Sequence, residues 1–294
     1  MKIFVTGATG FIGSAVVSEL LAAGHEVVGL ARSTESAKAL EALQVTALRG
    51  DLDDLENLRR GASDADGVIH TAYNHDFTVP RDVAAAADVR FVEAMGEVLV
   101  GSNRPLTITS GAGAATEDEA GESSPRYPAE QMAVSFVERG VRAAVVRLPH
   151  VVHGRGDRHG FLPILIDIAR QKGVSAYPGD GSNRWAAVHR LDAAHLFRLA
   201  LESAVPGVRL HGVAEEGIPV RRIAEVIGRQ LDLHVVSIPR EDATEHFGFL
   251  GALFALDHPR SSAKTRAELG WEPVQPGLLA DLEEDHYFER LRAA

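Results

Sequence analysis

The sequence predicts an α/β fold in which a doubly wound parallel sheet carries helices on both faces and a smaller α-rich cap follows. Three observations support this prediction. Short apolar runs alternate with helical stretches over the first half of the chain, which is the pattern of successive βαβ units. A glycine-rich turn follows the first apolar run. In the second half, loops rich in glycine and histidine separate isolated helices.

The elements of the first half are assigned from their hydrophobic pattern. Short β-branched and apolar runs predict strands, and apolar residues at helical spacing predict helices. The predicted strands are 2–6, 25–31, 45–49, 67–71, 106–110 and 143–148. The predicted helices are 11–23, 34–43, 52–61, 81–100 and 129–139.

The second half is predicted to add mainly helices and loops. Residues 150–160 and 177–183 are rich in glycine and polar side chains and are predicted to be loops. Helices are predicted over 161–172, 191–202, 220–231 and 241–256, with short apolar pieces such as 235–238 between them. We therefore assign 1–153 and 184–213 to the sheet domain, and 154–183 and 214–294 to a cap that binds the substrate.

Composition excludes several classes of protein. The 294 residues are 45% hydrophobic and 24% charged, which is typical of a folded domain with a large core. A net charge of −11 argues against a nucleic-acid partner, and the lack of cysteine excludes disulfides and thiolate zinc sites. No apolar run has the length of a membrane span or of a signal-peptide core. We expect a cytoplasmic protein with a small-molecule substrate and no membrane partner.

The strongest motif is the segment Thr6-Gly7-Ala8-Thr9-Gly10-Phe11-Ile12-Gly13, which lies between the first strand and the first helix. In a dinucleotide-binding turn the first glycine permits the tight bend, the second admits the pyrophosphate, and the third lets the helix pack on the strand. The helix N-terminus supplies N–H donors to the phosphates. We therefore expect a Rossmann-type site for a nicotinamide dinucleotide. Its predicted residues here are Gly7, Thr9, Gly10, Phe11, Ile12 and Gly13.

The end of the second strand predicts which dinucleotide binds. Enzymes that prefer NAD place an acidic residue there to bond the ribose hydroxyls. This chain has Arg32 and Ser33 instead, and a guanidinium suits the 2′-phosphate of NADP(H). Further cofactor contacts are expected after the third and fourth strands, from Asp51, Leu52, Thr71, Ala72 and Tyr73.

Two later segments complete a resemblance to a known family. They are Arg147-Leu148-Pro149 through His153-Gly154, and Arg184-Trp185 through Leu191-Asp192. With the glycine turn, they resemble the extended or atypical short-chain dehydrogenases/reductases of the NAD-dependent epimerase/dehydratase type, over nearly the whole chain. The resemblance implies that backbone at Pro149 meets the nicotinamide carboxamide. It also implies that the second segment joins the substrate cap to the sheet.

The chain departs from the family's catalytic motif. Members carry a serine or threonine after the fifth strand and then Tyr-x-x-x-Lys, in which the lysine helps the tyrosine to pass a proton. Ser110 and Tyr127 match the serine and the tyrosine, but Gln131 stands where the lysine is expected. No lysine lies between Lys38 and Lys172. Ser110 and Tyr127 are therefore the candidate catalytic residues of an incomplete relay.

Polar and aromatic side chains are expected to line the substrate cleft. The candidates are His75, His153, Phe161 and Trp185. Asp76 and Asp157 are alternative proton donors. No metal site is expected, because the glycine-rich flanks of the histidines give no fixed ligand geometry.

Three functions remain open. The first is an NADPH-dependent oxidoreductase that reduces a C=O or C=N bond of a small or medium organic substrate. The second is a sugar-nucleotide epimerase or dehydratase, for which the missing lysine is unfavourable. The third is a non-catalytic protein that senses NADP. A homodimer is expected through the helices 81–100 and 129–139, the pair that family members often use.

Overall fold

In the computed structural model of this protein, residues 1–74 and 79–289 are described. The strands, in chain order, are β1 (Lys2–Thr6), β2 (Glu26–Ala31), β3 (Thr46–Arg49), β4 (Gly67–His70), β5 (Pro105–Gly111), β6 (Arg142–Leu148), β7 (Val151–His153), β8 (Val174–Pro178), β9 (Arg184–His189), β10 (Arg209–His211), β11 (Glu215–Pro219) and β12 (His234–Ile238). The α-helices are α1 (Phe11–Ala22), α2 (Thr34–Glu41), α3 (Leu55–Ser63), α4 (Arg81–Glu97), α5 (Tyr127–Ser135), α6 (Phe161–Lys172), α7 (Arg190–Ser203), α8 (Val220–Leu231), α9 (Ala243–Phe247), α10 (Gly251–Phe254), α11 (Ala263–Leu269) and α12 (Leu278–Leu282).

The central sheet confirms the predicted doubly wound α/β class. Its seven strands run parallel in the order β10-β6-β5-β4-β1-β2-β3. The winding direction reverses between β1 and β4, and the carboxyl ends of strands at such a point form the binding crevice of an open parallel sheet. The glycine turn after β1 therefore opens into this crevice.

Helices bury both faces of the sheet. On one face, β1 and β2 pack with α1, α2 and α7 around residues such as Val5, Leu20 and Phe197. On the other, α3, α4 and α5 pack around residues such as Phe4, Met95 and Phe136. A third cluster, centred on Trp185, Ile223 and Phe254, joins α6, α8, α9 and α10 beyond the carboxyl edge.

The predicted loops at 150–160 and 177–183 were partly wrong. The first contains β7, which pairs with β9 in a three-stranded sheet of order β11-β9-β7. The second begins inside β8, which pairs in parallel with β12. These strands are three to six residues long, and glycine-rich flanks hide so short a hydrophobic alternation.

Three helix assignments also needed correction. The helix predicted over 241–256 is broken into α9 and α10, because Gly248 has a φ of +61°. The helix predicted from residue 52 begins at Leu55, since the Asp54 carboxylate accepts from the backbone N–H of Asn57 and caps it. The helix predicted over 129–139 begins at Tyr127 and ends at Ser135, followed by a 3-10 turn. No helix in residues 1–74 or 79–289 is long and apolar enough to cross a membrane.

Candidate functional site

The glycine turn forms a close-packed cradle at the centre of the carboxyl edge. Gly7 has a φ of +71°, a conformation that glycine adopts without strain. A Cβ at Gly7 would lie 2.7 Å from the backbone N of Ala72, and a Cβ at Gly13 would lie 2.0 Å from the Gly7 carbonyl oxygen. Only glycine permits these two approaches. The intervening Thr9 and Gly10 stay exposed, so backbone faces the space where a pyrophosphate would lie.

The first turn of α1 is open for an anion. Within the described ranges no side chain caps this helix, and its first turn carries no acidic residue. Phe11 and Ile12 are half-buried at its start. The N–H groups and the positive end of the helix dipole are therefore available to phosphate oxygens.

An arginine that sequence reasoning missed lies over this helix start. The Arg190 guanidinium carbon is 5.1 Å from the centre of the Phe11 ring, and its Nη1 donates to the Arg155 carbonyl at 3.0 Å. Burial lowers the pKa of Arg190, and no carboxylate of the described chain forms an ion pair with it. A cation beside an uncapped helix start adds to the predicted pyrophosphate site. The sequence signal for Arg190 was its position directly after His189, a residue of the family motif.

The predicted adenosine end of the site lies at the ends of β2 and β3. Arg32 is exposed and forms no ion pair with any residue in 1–74 or 79–289. The Ser33 hydroxyl caps α2 by accepting from the Ser36 N–H at 3.1 Å. Arg49 Nη1 donates to the Ser33 carbonyl at 2.5 Å, which brings a second guanidinium to the end of β2.

Asp51 and Leu52 lie at the end of the neighbouring strand. The Asp51 carboxylate accepts from the backbone N–H groups of Asp53 and Asp54 at 3.0 and 3.2 Å. Leu52 is half-buried and packs against the core below the sheet. Asp51 therefore shapes the turn into α3, beside the predicted adenine position.

A buried chain of hydrogen bonds between side chains links β1, β4 and α4. Because Asp88 is an acceptor, His70 Nε2 donates to it at 3.0 Å, and His70 Nδ1 accepts from the Thr6 hydroxyl at 2.6 Å. Burial lowers the pKa of His70. Burial alone would raise the pKa of Asp88. The Arg126 charge and the His70 hydrogen bond lower it by more, so the net pKa of Asp88 is below its usual value. The pair is a neutral imidazole beside a carboxylate.

Arg126 connects this chain of hydrogen bonds to the segment that follows β4. It donates to Asp88 through Nε and Nη2 at 2.9 and 3.1 Å, and its Nη2 also donates to the Ala72 carbonyl at 3.2 Å. Its guanidinium lies 4.8 Å from the Tyr73 ring centre. Thr71 is fixed by its hydroxyl, which donates to the Thr6 carbonyl at 2.8 Å. Arg126 thus holds both the segment after β4 and the start of α5.

The structure places Ser110 and Tyr127 on neighbouring elements linked by Ser124. Ser110 is 2% exposed at the end of β5, and its hydroxyl is 3.5 Å from that of Ser124. The Ser124 hydroxyl accepts from the N–H groups of Gly111 and Arg126, both at 3.2 Å. Tyr127 is half-buried and is the first residue of α5. Its hydroxyl makes no hydrogen bond with the described residues.

The position of the missing lysine offers no positive charge. Gln131 is exposed, whereas the neighbouring Glu130 is fully buried and paired. Arg147 contacts Glu130 through Nε and Nη2 at 3.0 and 2.5 Å, and Arg209 Nε donates to it at 2.6 Å. The two arginines therefore share the single negative charge of Glu130. Pro149 is buried directly after β6.

An aromatic and histidine group lies beyond Pro149. The His150 ring is centred 6.4 Å from Phe161, 6.2 Å from Trp185 and 5.0 Å from His258. The His150 ring is accessible to solvent yet surrounded by protein, and burial with the neighbouring His258 and Arg260 lowers its pKa to about 4. His150 is therefore a neutral, solvent-accessible side chain at the edge of this aromatic group. Trp185 is fully buried, so it supports this wall from behind.

The remaining substrate candidates are not brought to this wall. His153 is fully buried, and its Nδ1 lies 2.9 Å from the Asp281 carboxylate. It packs edge-on against His189 at 5.3 Å, where β7 meets the C-terminal segment. Asp157 is buried, and its carboxylate accepts from the Gly160 N–H at 2.8 Å. His75 and Asp76 lie outside the described residues. Within the described residues no group of histidine and acidic side chains has the arrangement of a metal site.

Comparison with known proteins identifies related sequences. The model of the NAD dependent epimerase/dehydratase family matches residues 3–211. An uncharacterized protein of Schizosaccharomyces pombe is 50% identical and covers 98% of this chain and 100% of its own. The 2-alkyl-3-oxoalkanoate reductase of Stenotrophomonas maltophilia is 27% identical over 84% of this chain and 79% of its own.

A solved structure matches the fold. The dTDP-glucose 4,6-dehydratase DesIV of Streptomyces venezuelae, solved as a double mutant with NAD and DAU bound, aligns with a TM-score of 0.79. The alignment covers 99% of this chain and 98% of that one at 20% identity. At this identity the likeness establishes the Rossmann-type fold alone.

Proposed function

The chain belongs to the NAD dependent epimerase/dehydratase family, and we propose that it is an NADPH-dependent reductase of a C=O or C=N bond in a small or medium organic molecule. Family and relatives indicate an oxidoreductase of the short-chain dehydrogenase/reductase type with a nicotinamide cofactor. A relative named as an oxoalkanoate reductase supports a carbonyl substrate.

The observation that carries the proposal is the cradle between Gly7, Gly13 and Ala72, which a Cβ would fill. A nicotinamide dinucleotide, when bound, supplies hydride transfer at its ring. The chain's own part is to hold the pyrophosphate on the open N-terminus of α1 with Arg190 beside it. Thr71 to Tyr73, after β4, and Pro149, after β6, would border the nicotinamide.

The preference for NADPH rests on the charges at the end of β2. Arg32 has no ion-pair partner among the described residues, and Arg49 lies against the Ser33 carbonyl. The strand end itself carries no carboxylate, although Glu35 follows in the first turn of α2. A 2′-phosphate would gain charge-assisted hydrogen bonds from the two guanidinium groups.

Proton donation is assigned to Tyr127, with Ser110 orienting the substrate oxygen. Ser110 lies near the end of β5 and Tyr127 begins α5. The Ser124 hydroxyl links the two elements through the Ser110 hydroxyl and the N–H groups of Gly111 and Arg126. Ketone reduction develops an alkoxide, which needs a proton donor within hydrogen-bond reach. An iminium ion arrives protonated and is discharged by the hydride. Because no lysine assists Tyr127, imine reduction is the less demanding reaction for this site.

Two other functions are less well supported. A sugar-nucleotide epimerase or dehydratase needs a basic pocket for the substrate diphosphate. Arg209 is paired with Glu130, and Arg221 and Arg222 are paired with Glu225. An NADP sensor is favoured only by Gln131 in place of the lysine.

Two measurements on the purified protein separate these functions. Fluorescence titration gives the affinities for NADPH and NADH, and loss of reduced-nicotinamide absorbance reports turnover with a panel of ketones, oxo acids and cyclic imines. Turnover with any member supports the reductase. Tight NADPH binding without turnover across the panel would identify the sensor, and conversion of UDP- or dTDP-sugars would identify the epimerase or dehydratase.

A further inference from the structure

A half-buried guanidinium without a counter-ion lies beside the proposed cleft. Arg260 Nε donates to the Ala112 carbonyl at 2.7 Å, Nη1 to the Pro259 carbonyl at 2.8 Å, and Nη2 to His258 Nδ1 at 2.7 Å. These bonds use three of the five guanidinium N–H groups. No carboxylate in residues 1–74 or 79–289 forms an ion pair with Arg260. Two N–H donors and one positive charge are therefore left for another group.

The nearest acidic side chains are already engaged elsewhere. Asp257 is held by Arg184, whose Nε and Nη2 donate to its two carboxylate oxygens at 3.0 and 2.8 Å. The Glu119 carboxylate accepts from the Ala115 N–H and the Thr116 hydroxyl at 3.3 and 2.9 Å. Burial lowers the pKa of Arg260, and these two acids only partly oppose the shift. A partly buried, uncompensated charge costs free energy that a bound anion would recover.

The location of Arg260 connects it with the reaction site. Ala112 directly follows β5, two residues after the candidate catalytic Ser110. His258 packs edge-on against His150, which follows β6 and Pro149. Since β5 and β6 are parallel neighbours, both connections lead to the same edge of the sheet.

The bond from Arg260 also fixes the hydrogen-bonding role of His258. Arg260 can only donate, so His258 Nδ1 accepts and the proton of the neutral ring is on Nε2. Burial and the Arg260 charge lower the pKa of His258, which keeps the ring neutral. His258 is therefore a neutral acceptor that orients one Arg260 N–H, and its own Nε2–H points away from that bond.

We propose that Arg260, oriented by His258, binds the carboxylate of the substrate, so that the reductase acts on oxo or imino acids rather than on neutral ketones or imines. This inference rests on the proposed function and names its substrate class. A carboxylate accepts paired N–H bonds from a guanidinium in a fixed geometry. Such binding would hold the acid group at Arg260 and leave the carbonyl nearer to Ser110 and Tyr127.

The experiment has a turnover part and a binding part. Turnover of 3-oxohexanoate is compared with that of its methyl ester in the unmodified protein, Arg260→Gln and Arg222→Gln. The control residue Arg222 is an exposed arginine of α8 paired with Glu225. Binding of unreactive hexanoate and hexanamide to the NADP⁺-loaded proteins is measured by calorimetry. The His258 ring resonance of the unmodified protein is followed by NMR during both titrations.

The proposal expects kcat/KM for the acid to exceed that for the ester by about tenfold or more. Arg260→Gln should lower kcat/KM for the acid by about tenfold, to the level of the ester, and Arg222→Gln should keep the preference for the acid. Hexanoate, but not hexanamide, should shift the His258 resonance, a readout that does not depend on the variant folding. Equal turnover of acid and ester, or a preference that survives in Arg260→Gln, would overturn the proposal.

Failure of the reductase function gives a different result. If neither compound is turned over, binding of hexanoate that is selective over hexanamide and lost in Arg260→Gln still supports the carboxylate site. Absent or unselective hexanoate binding, with no shift at His258, overturns it.

Discussion

Arg32 is the side chain on which we propose that cofactor selection depends. In Arg32→Asp a carboxylate replaces the guanidinium at the end of β2, where it would repel a 2′-phosphate and accept from ribose hydroxyls. We expect NADPH to bind more weakly by on the order of 1.5–3 kcal/mol and the preference to fall or reverse. Titration of both reduced cofactors checks this. Equal affinity of the unmodified protein for NADPH and NADH would contradict the assignment.

Arg190 is proposed to act at the pyrophosphate in the middle of the dinucleotide. Its charge lies beside the start of α1 without an ion-pair partner among the described residues. Arg190→Gln should weaken NADPH and NADH binding alike, by on the order of 1.5–3 kcal/mol, because both cofactors carry the pyrophosphate. Arg222→Gln is the matched control for loss of one positive charge. A variant that loses only NADPH affinity would show that Arg190 contacts the 2′-phosphate instead.

Tyr127 is tested by comparing two reactions. Tyr127→Phe removes the candidate proton donor at the start of α5 and leaves the ring in place. Ketone reduction should slow by roughly a hundredfold or more, the scale of a lost general acid, and cyclic imine reduction should slow much less. The assay uses an activated ketone and an imine of similar size. Equal large losses on both would mean that Tyr127 serves both reactions, despite Gln131.

Among the secondary-structure elements, the turn between β1 and α1 contains two glycines with different predicted roles. Gly10 is expected to matter for cofactor binding and Gly13 for the stability of the fold. A Cβ at Gly10 would approach only the Gly7 carbonyl oxygen, at 3.1 Å, whereas one at Gly13 would reach the same atom at 2.0 Å. Gly10→Val should therefore keep the fold and lose NADPH affinity by about 2 kcal/mol or more, because the side chain enters the pyrophosphate space. Gly13→Val should destabilise the protein itself.

Thermal unfolding and NADPH titration of the two glycine variants check this contrast. Unchanged NADPH affinity in a folded Gly10→Val protein would remove the glycine turn from the cofactor site. Normal stability of Gly13→Val would mean that the close approach of α1 to β1 is not required.

The sequence predicted the elements of the sheet better than those beyond it. The strands β1 to β6 formed within one or two residues of their predicted bounds, and each helix between them was predicted, although the bounds of α3 and α5 were shifted. The short strands β7, β8 and β11 are set by their partners in space, which no local pattern reveals. The helix predicted over 241–256 failed for another reason. Gly248 is present in the sequence, but the sequence does not show that its φ is positive and breaks the helix.

The candidate site was predictable to the same extent. The glycine turn joins two regular elements and Ser110 lies in a third, so both were predicted from the spacing of residues in the sequence. Arg190, Arg126 and Arg260 were missed because their roles depend on which acids pair with which arginines across distant segments. Arg126, for example, is bound to Asp88, which is 38 residues away in the chain.

For the whole molecule, the division into a sheet domain and a cap remains a proposal, as does the homodimer. We expect dimerisation through the outer faces of α4 and α5, where Val83, Ala86 and Gln131 are exposed. Light scattering should give twice the 31.5 kDa mass of the chain. A monomer at micromolar concentration would contradict it.

In the proposed reaction, the folded protein catalyses hydride transfer from NADPH to a carbonyl or imine carbon. The most direct measurement uses NADPH deuterated at its transferable position, incubated with the substrate panel, with the products analysed by mass spectrometry. One deuterium on the carbinol or amine carbon of at least one product is the predicted result, and NADH should deliver less. Saturating NADPH binding with no deuterium in any product would contradict the account.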